Sequence, residues 1–249
     1  MLAAPSLSHI IRRFNRFELK YQMTLKTAER FKESLRAYLL PDNHGDGQGS
    51  YWLSSLYYDS PDYRCYWEKI DGIRFRRKLR IRQYENAGGA SVFVEIKQRA
   101  NRVTQKRRAA LPYPAALALC SQRQRPDCPP ADQAVLDEVY TLLWQYDMRP
   151  ASLIRYQRQA LVGTDYDLGL RVTFDTQLEF SLLAAHQTDP FAREDAGSFQ
   201  PLLPPDSVVM EIKANERVPY WLTELVGQHN LTLVRISKYC QSITLAQKG

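Results

Sequence analysis

Residues 74–82 read RFRRKLRIR, a stretch in which six of nine positions are cationic and Phe75, Leu79 and Ile81 are set among them. In a strand, alternate side chains share a face. That rule puts Arg74, Arg76, Lys78, Arg80 and Arg82 on one side and Phe75, Arg77, Leu79 and Ile81 on the other. Neighbouring cations on such a face sit about 7 Å apart and repel by roughly 0.6 kcal/mol in water, or roughly 2–2.5 kcal/mol at an effective dielectric of 20. If the face is enclosed, it requires an anion.

The same polarity recurs along the chain. Glu18, Lys20 and Gln22 oppose Phe17, Leu19, Tyr21 and Met23, and Glu95, Lys97 and Arg99 oppose Val92, Val94 and Ile96. Arg102, Thr104, Lys106 and Arg108 align, as do Tyr156 and Arg158. Arg171, Thr173 and Asp175 oppose Leu170, Val172 and Phe174, and Glu211 and Lys213 oppose Val208, Met210 and Ile212. With 51–58, about eight strands are expected. A half-exposed antiparallel sheet also alternates apolar and polar residues, but solvated faces mix both charge signs, whereas these carry Arg and Lys repeatedly. The pattern points to an α+β protein built on an eight-stranded antiparallel barrel, its apolar faces turned out to helices and its lumen charged. Eight strands leave room for side chains and one slender ligand.

Three strands repeat Glu-x-Lys: FELK (17–20), VEIK (94–97) and MEIK (210–213). The carboxylate and ammonium then lie on one face a pleat apart, so Glu can hold a divalent cation while Lys holds the phosphate oxygens it bridges. An ordinary intrastrand ion pair is the alternative for each copy.

Composition is consistent with this. The chain has 249 residues, a net charge of +7 and a pI near 9.2, which favours an anionic partner without naming it. Its length suits a single domain over 1–249. Four scattered cysteines without CxxC spacing exclude a disulfide scaffold and point to a reducing, cytoplasmic setting. Neither a signal peptide nor a transmembrane segment is visible. Helices are expected at 27–39, 61–69, 131–147 and 219–229, and polar loops at 42–50, 120–130 and 184–206. His9, His44, His186 and His229 show no ligand spacing.

Taken in order, RFELKY, YYDSPDYRCYWEKIDG, KLRIRQY, VFVEIKQR, VTQKRR, RYQRQAL, LRVTFDTQLEF, VVMEIK and ISKY resemble the VTC domain, the polyphosphate polymerase domain of the vacuolar transporter chaperone complex. The match runs over about residues 12–243. The resemblance implies the triphosphate tunnel metalloenzyme fold, an eight-stranded barrel whose tunnel is lined by Lys, Arg and Glu. It implies that Lys20, Arg80, Arg82, Lys97, Arg158, Arg171 and Lys213 act on the phosphates. Lys78, Lys106, Arg108, Tyr156 and Lys238 would bind substrate, and Glu211 would hold Mn²⁺ or Mg²⁺. Glu18 and Glu95 would either touch that metal or pair with neighbouring cations. Which of Arg74, Arg76 and Lys78 enter the tunnel depends on where the barrel wall ends.

The expected partners are a nucleoside triphosphate and pyrophosphate or polyphosphate, with a membrane protein possible and no nucleic acid, because the aromatics fall opposite the cations. The hydrolytic relatives open with Glu-x-Glu-x-Lys, whereas Arg16 stands two before Glu18 here. That departure weakens simple triphosphate hydrolysis and fits phosphoryl transfer to a phosphate chain, or phosphate binding, better.

Overall fold

The computed structural model describes residues 16–43, 45–85, 91–101, 103–183, 191, 199–215 and 217–248. Arg102, His9, His44 and His186 lie outside them, as do the side chain of Arg16 and most of the 184–206 loop. Eight long strands form: β1 (Arg16–Thr24), β3 (Ser50–Asp59), β4 (Phe75–Tyr84), β5 (Ser91–Ala100), β6 (Val103–Pro112), β7 (Arg149–Gly163), β8 (Arg171–Leu182) and β10 (Ser207–Asn215). Two short ones, β2 (Leu39–Pro41) and β9 (Gln200–Pro201), attach to β7 and β8. The long strands run antiparallel in the order β1-β10-β8-β7-β3-β4-β5-β6.

This sheet curls into a half-barrel. Lys97 of β5 reaches Glu18 of β1 at 2.9 and 3.1 Å, although those strands lie near opposite ends of the order. The edge strands β1 and β6 are not paired with each other among the described residues. The free edge of β1 is covered instead by the segment around Leu233, which bridges Tyr21 and sends the Val234 amide to the Lys20 carbonyl at 2.8 Å.

Strand parity decides what faces out. On β4 and β5 the outward residues Leu79, Ile81, Val92, Val94 and Ile96 are fully buried, covered by α3 (Tyr113–Gln122) and α4 (Pro130–Gln145) through Leu119, Val139 and Leu142. At the other end of the order, β1, β10 and β8 bury Met210, Ile212, Val172 and Phe174 beneath α1 (Leu25–Leu35) and α5 (Tyr220–Gln228). Each such side chain contributes about 1.5–3 kcal/mol.

Helix α1 buries Ala28, Phe31 and Leu35 at the expected three- and four-residue spacing. It begins at Leu25 rather than Thr27 because the Thr24 hydroxyl accepts the Thr27 amide at 3.2 Å. It stops at Leu35 because Leu39–Pro41 pairs with β7. The helix expected at 61–69 is α2 (Arg64–Ile70). Its first amides are held by Asp59, whose carboxylate accepts from Cys65 and Tyr66 at 2.8 and 3.1 Å.

Two helices had no counterpart in the sequence reading, α3 and α6 (Lys238–Ala246). Helix α6 lies inside the curl, against β7, β8 and α2. Its Tyr239 hydroxyl donates to Asp59, Tyr57 and Tyr239 stack with centroids 5.2 Å apart, and Ser242 meets Ser152 at 2.9 Å. No helix among the described residues is long and apolar enough to cross a membrane.

Candidate active site

The concave face carries the charges, and register places them. Across β4, β5 and β6, Arg80 stands opposite Glu95 and Glu95 opposite Arg108, while Lys78 stands opposite Lys97 and Lys97 opposite Lys106. Across β1, β10 and β8, Lys20 stands opposite Glu211 and Glu211 opposite Thr173, with Glu18, Lys213 and Arg171 forming the next row. Arg158 and Asp175 complete the face between β7 and β8.

Two carboxylates on this face are locked by arginine. Glu95 is fully buried and takes Arg80 through two nitrogens at 2.8 and 2.6 Å, with Lys106 at 3.3 Å. Burial alone would raise its pKa, but Arg80, Arg82 and Lys106 outweigh that and hold the carboxyl well below the usual range. Asp175, also fully buried, takes a bidentate Arg158 at 2.6 and 2.8 Å and Lys238 of α6 at 2.6 Å. Against burial, Arg158 and Lys238 bring it down to about 2.

Two other carboxylates meet. Glu18 and Glu211 lie within hydrogen-bonding reach of each other. Lys97, Lys20 and Lys213 surround them: Lys97 and Lys20 reach Glu18 at 2.9 and 3.3 Å, and Lys213 reaches Glu211 at 3.2 Å. Despite burial, these lysines keep Glu211 ionised far below the ordinary carboxylate pKa. Beside Glu211 across the ladder, the buried Thr173 hydroxyl has no hydrogen-bond partner.

The cations of this face outnumber its carboxylates, so most of them share one. Arg82 is buried and donates to two hydroxyls, Ser55 at 3.3 Å and Tyr156 at 3.1 Å, rather than to a carboxylate. Burial, with Arg158 and Lys97 nearby, lowers Lys213 to about 8 in spite of Glu211. Lys106 is lowered by burial and by Arg108, Arg80 and Arg82, although Glu95 opposes them. Lys238 and Arg158 also lie over the Tyr156 ring, at 4.6 and 5.3 Å from its centroid. Arg171 is half-buried between Asp42, at 2.6 Å, and the Tyr51 hydroxyl, at 2.9 Å.

The three cations at the start of RFRRKLRIR divide. Lys78 points inward to Ser237 and Cys240 of α6, both at 3.0 Å. Arg76 turns back at the rim to the Ile73 carbonyl at 2.8 Å, and Arg74 is exposed before the strand begins.

The described candidate site residues, Arg74 and Arg76 apart, share one concave face, but they form two groups. Glu18 joins Glu211, whereas Glu95 sits with Arg80 and Lys106. Among the described residues no three His, Cys, Asp or Glu side chains converge to hold a metal. Sequence reasoning left Asp175, Tyr57, Asp42 and Tyr51 without roles. Asp175 had a signal, its parity with Arg171. Tyr57 donates its ring to the stack on Tyr239 and accepts from Arg80 at 2.9 Å, yet 51–58 carries no charge alternation to mark it.

The sequence profile of the VTC domain matches residues 15–247. This chain belongs to the VTC-domain family. No curated protein sequence matches this VTC domain significantly. Among solved structures, a candidate adenylate cyclase from Bacillus halodurans resembles it with a TM-score of 0.52 at 14% identity, over 90% of this chain and 95% of that one. Hippeastrum HpAC1, a candidate adenylyl cyclase with a dominant triphosphatase activity, gives 0.47 at 13% identity over 89% and 92%. The Bacillus halodurans likeness is one of fold, the triphosphate tunnel fold, and the VTC domain's inward Lys, Arg and Glu side chains are set on it.

Proposed function

We propose that this VTC domain transfers the terminal phosphoryl group of a nucleoside triphosphate to the end of a phosphate chain. One observation carries the reading: on the concave face, cations outnumber carboxylates, and the buried Arg82 has only hydroxyls to donate to. Buried cations without counterions are costly. A linear polyanion threaded along the curl removes that cost for every strand it passes.

Each group has a distinct part. Arg82, Lys106, Arg108, Lys20, Lys97, Lys213 and Arg171 neutralise phosphate oxygens, and Arg80 and Arg158 are held rigid for the same task by Glu95 and Asp175. Lys78 and Lys238, fixed by α6, hold the chain toward the far mouth, with Tyr156 beneath Lys238. The terminal oxygen of the acceptor chain attacks the γ-phosphorus in line. The bond to the β,γ-bridging oxygen breaks, and the nucleoside diphosphate leaves with that electron pair.

Glu18 and Glu211 fit a divalent cation, being two touching carboxylates beside an unpartnered Thr173 hydroxyl. Mn²⁺ or Mg²⁺ held there by Glu18 and Glu211 would supply Lewis-acid charge neutralisation to the phosphates. Glu95 fits less well: it is fully buried and gripped by Arg80 through two nitrogens, whereas Glu18 is held only by lysine ammoniums.

The test is incubation with ATP and Mn²⁺, with and without pyrophosphate, reading polyphosphate and free phosphate together. Polyphosphate formation is expected, and Arg82→Glu should abolish it. Free phosphate alone would make the protein a hydrolase. Neither product, with tight polyphosphate binding, would make it a binding module.

A further inference from the structure

At the end of the curl nearest α6, the rim carries two sets of side chains that phosphoryl transfer leaves unused. Trp67 and Ile70 of α2, Ile73 of the following loop, Phe75 at the start of β4 and Val103 at the start of β6 are each between 46% and 52% exposed. Register gathers the last two, because Phe75 stands opposite Ala100 and Ala100 opposite Val103. By strand parity this row faces away from the tunnel. The next row faces the tunnel and is basic, with Arg76 directly opposite Arg99. Arg74 follows Ile73, and Lys69 lies between Trp67 and Ile70 on α2.

These cations are only partly matched nearby, Glu68 being the carboxylate that attracts Arg76. Burial and then Arg99 lower the Arg76 pKa, and burial followed by Arg76 lowers that of Lys69, so the group is repelled within itself. Of the carboxylates beside it, Glu68 is taken by Arg64 at 2.8 Å, and Asp71 ends α2.

We infer that this rim docks on an anionic lipid bilayer. Exposed apolar patches of this kind mark interaction surfaces. A free anion would satisfy the arginines but leave Ile70, Ile73 and Phe75 in water, and a neutral apolar partner would leave the arginines unmatched. Anionic headgroups with acyl chains beneath them satisfy both sets, since apolar insertion and attraction of Lys and Arg to the headgroups add together. Charge complementarity and the side-by-side apolar and basic rows favour the bilayer over an acidic protein.

The experiment is co-sedimentation of the full chain with phosphatidylcholine vesicles, with and without phosphatidylglycerol, at physiological ionic strength. Saturating inorganic tripolyphosphate is included to occupy the tunnel. Binding is expected only to vesicles containing phosphatidylglycerol. The pair Ile70→Ser/Ile73→Ser and, separately, Arg74→Ser/Arg76→Ser should each reduce partition by at least about tenfold, with folding checked by circular dichroism. Absence of binding to the anionic vesicles would overturn the inference. So would binding abolished by tripolyphosphate, which would assign the headgroups to the tunnel. Binding that tolerates the isoleucine pair would also overturn it and leave an acidic macromolecule as the partner.

Discussion

The tunnel has an arginine half and a lysine half, and they differ in what they lack. Around β4, β5, β7 and β8, Glu95 and Asp175 are fully buried and gripped by Arg80 and Arg158, each through two nitrogens. Around β1 and β10, Glu18 and Glu211 touch each other and face three lysines, which grip through single points. Guanidinium forks fix a carboxylate in one geometry, whereas an ammonium is a compact charge on a flexible stem. The first half is thus a rigid frame whose carboxylates are locked, with Arg82 the buried cation left to meet an anion. The second is a site whose charges are completed by what binds there.

Breaking a lock should have the largest effect, and it should appear in stability. Arg158→Ala leaves Asp175 buried with Lys238 as its remaining charged partner, and removing one member of a buried pair costs about 3–5 kcal/mol. A urea midpoint measured against the parent chain checks it, and an unchanged midpoint would mean that Asp175 is not locked. Glu211→Gln should fall mainly on the reaction: losing a buried carboxylate held ionised by three lysines also lowers the midpoint, but transfer should drop about 10²- to 10³-fold, the usual scale for loss of one electrostatic group in a reaction centre. Tripolyphosphate binding should persist in that variant. A smaller effect is expected from Lys97→Ala. Its side chain is 40% exposed, so the pair with Glu18 is worth no more than about 1 kcal/mol to folding. Tripolyphosphate affinity should fall about tenfold, the scale of one charge-assisted contact, as calorimetry would show.

The two halves were not equally legible. Parity alone put Arg80, Arg82, Glu95, Lys97, Glu211 and Lys213 on one face, since strand alternation is a local property of the chain. Pairing is not local. Glu-x-Lys looks the same in VEIK and MEIK, yet Glu95 faces Arg80 while Glu211 meets Glu18, because β5 runs between basic strands and β10 lies beside β1. The lock on Asp175 was out of reach for the same reason, as Lys238 comes from a helix 63 residues further along the chain. That helix was itself hidden, because KYCQSITLA is a short segment of nine residues whose contacts, with Tyr57, Asp59, Ser152 and Asp175, all come from distant parts of the chain. Helix α3, YPAALALCSQ, escaped for a different reason: it is apolar nearly all round, with no polar face to reveal a period.

Tyr57 offers the finest probe, because it reports the arginine half without altering it. Its hydroxyl lies 2.9 Å from Arg80. Burial would raise its pKa, but Arg80, Arg82 and Lys238 outweigh burial and bring the phenol down to about 8. Tyr51, Tyr58 and Tyr239 are shifted the opposite way, chiefly by burial. One tyrosine should therefore ionise near pH 8 in a phenolate-absorbance titration, ahead of the rest, and Tyr57→Phe should remove that step. The sign under ligand follows from Coulomb's law. A polyanion on Arg80 and Arg82 cancels the positive potential that favours phenolate, so saturating tripolyphosphate should move the step upward in pH. By linkage, the ligand should bind more weakly as pH rises through 8 and Tyr57 becomes negative. An early step indifferent to tripolyphosphate would show that the anion does not reach the arginine half, and the lysines of β1, β5 and β10 would then be the whole of the binding site.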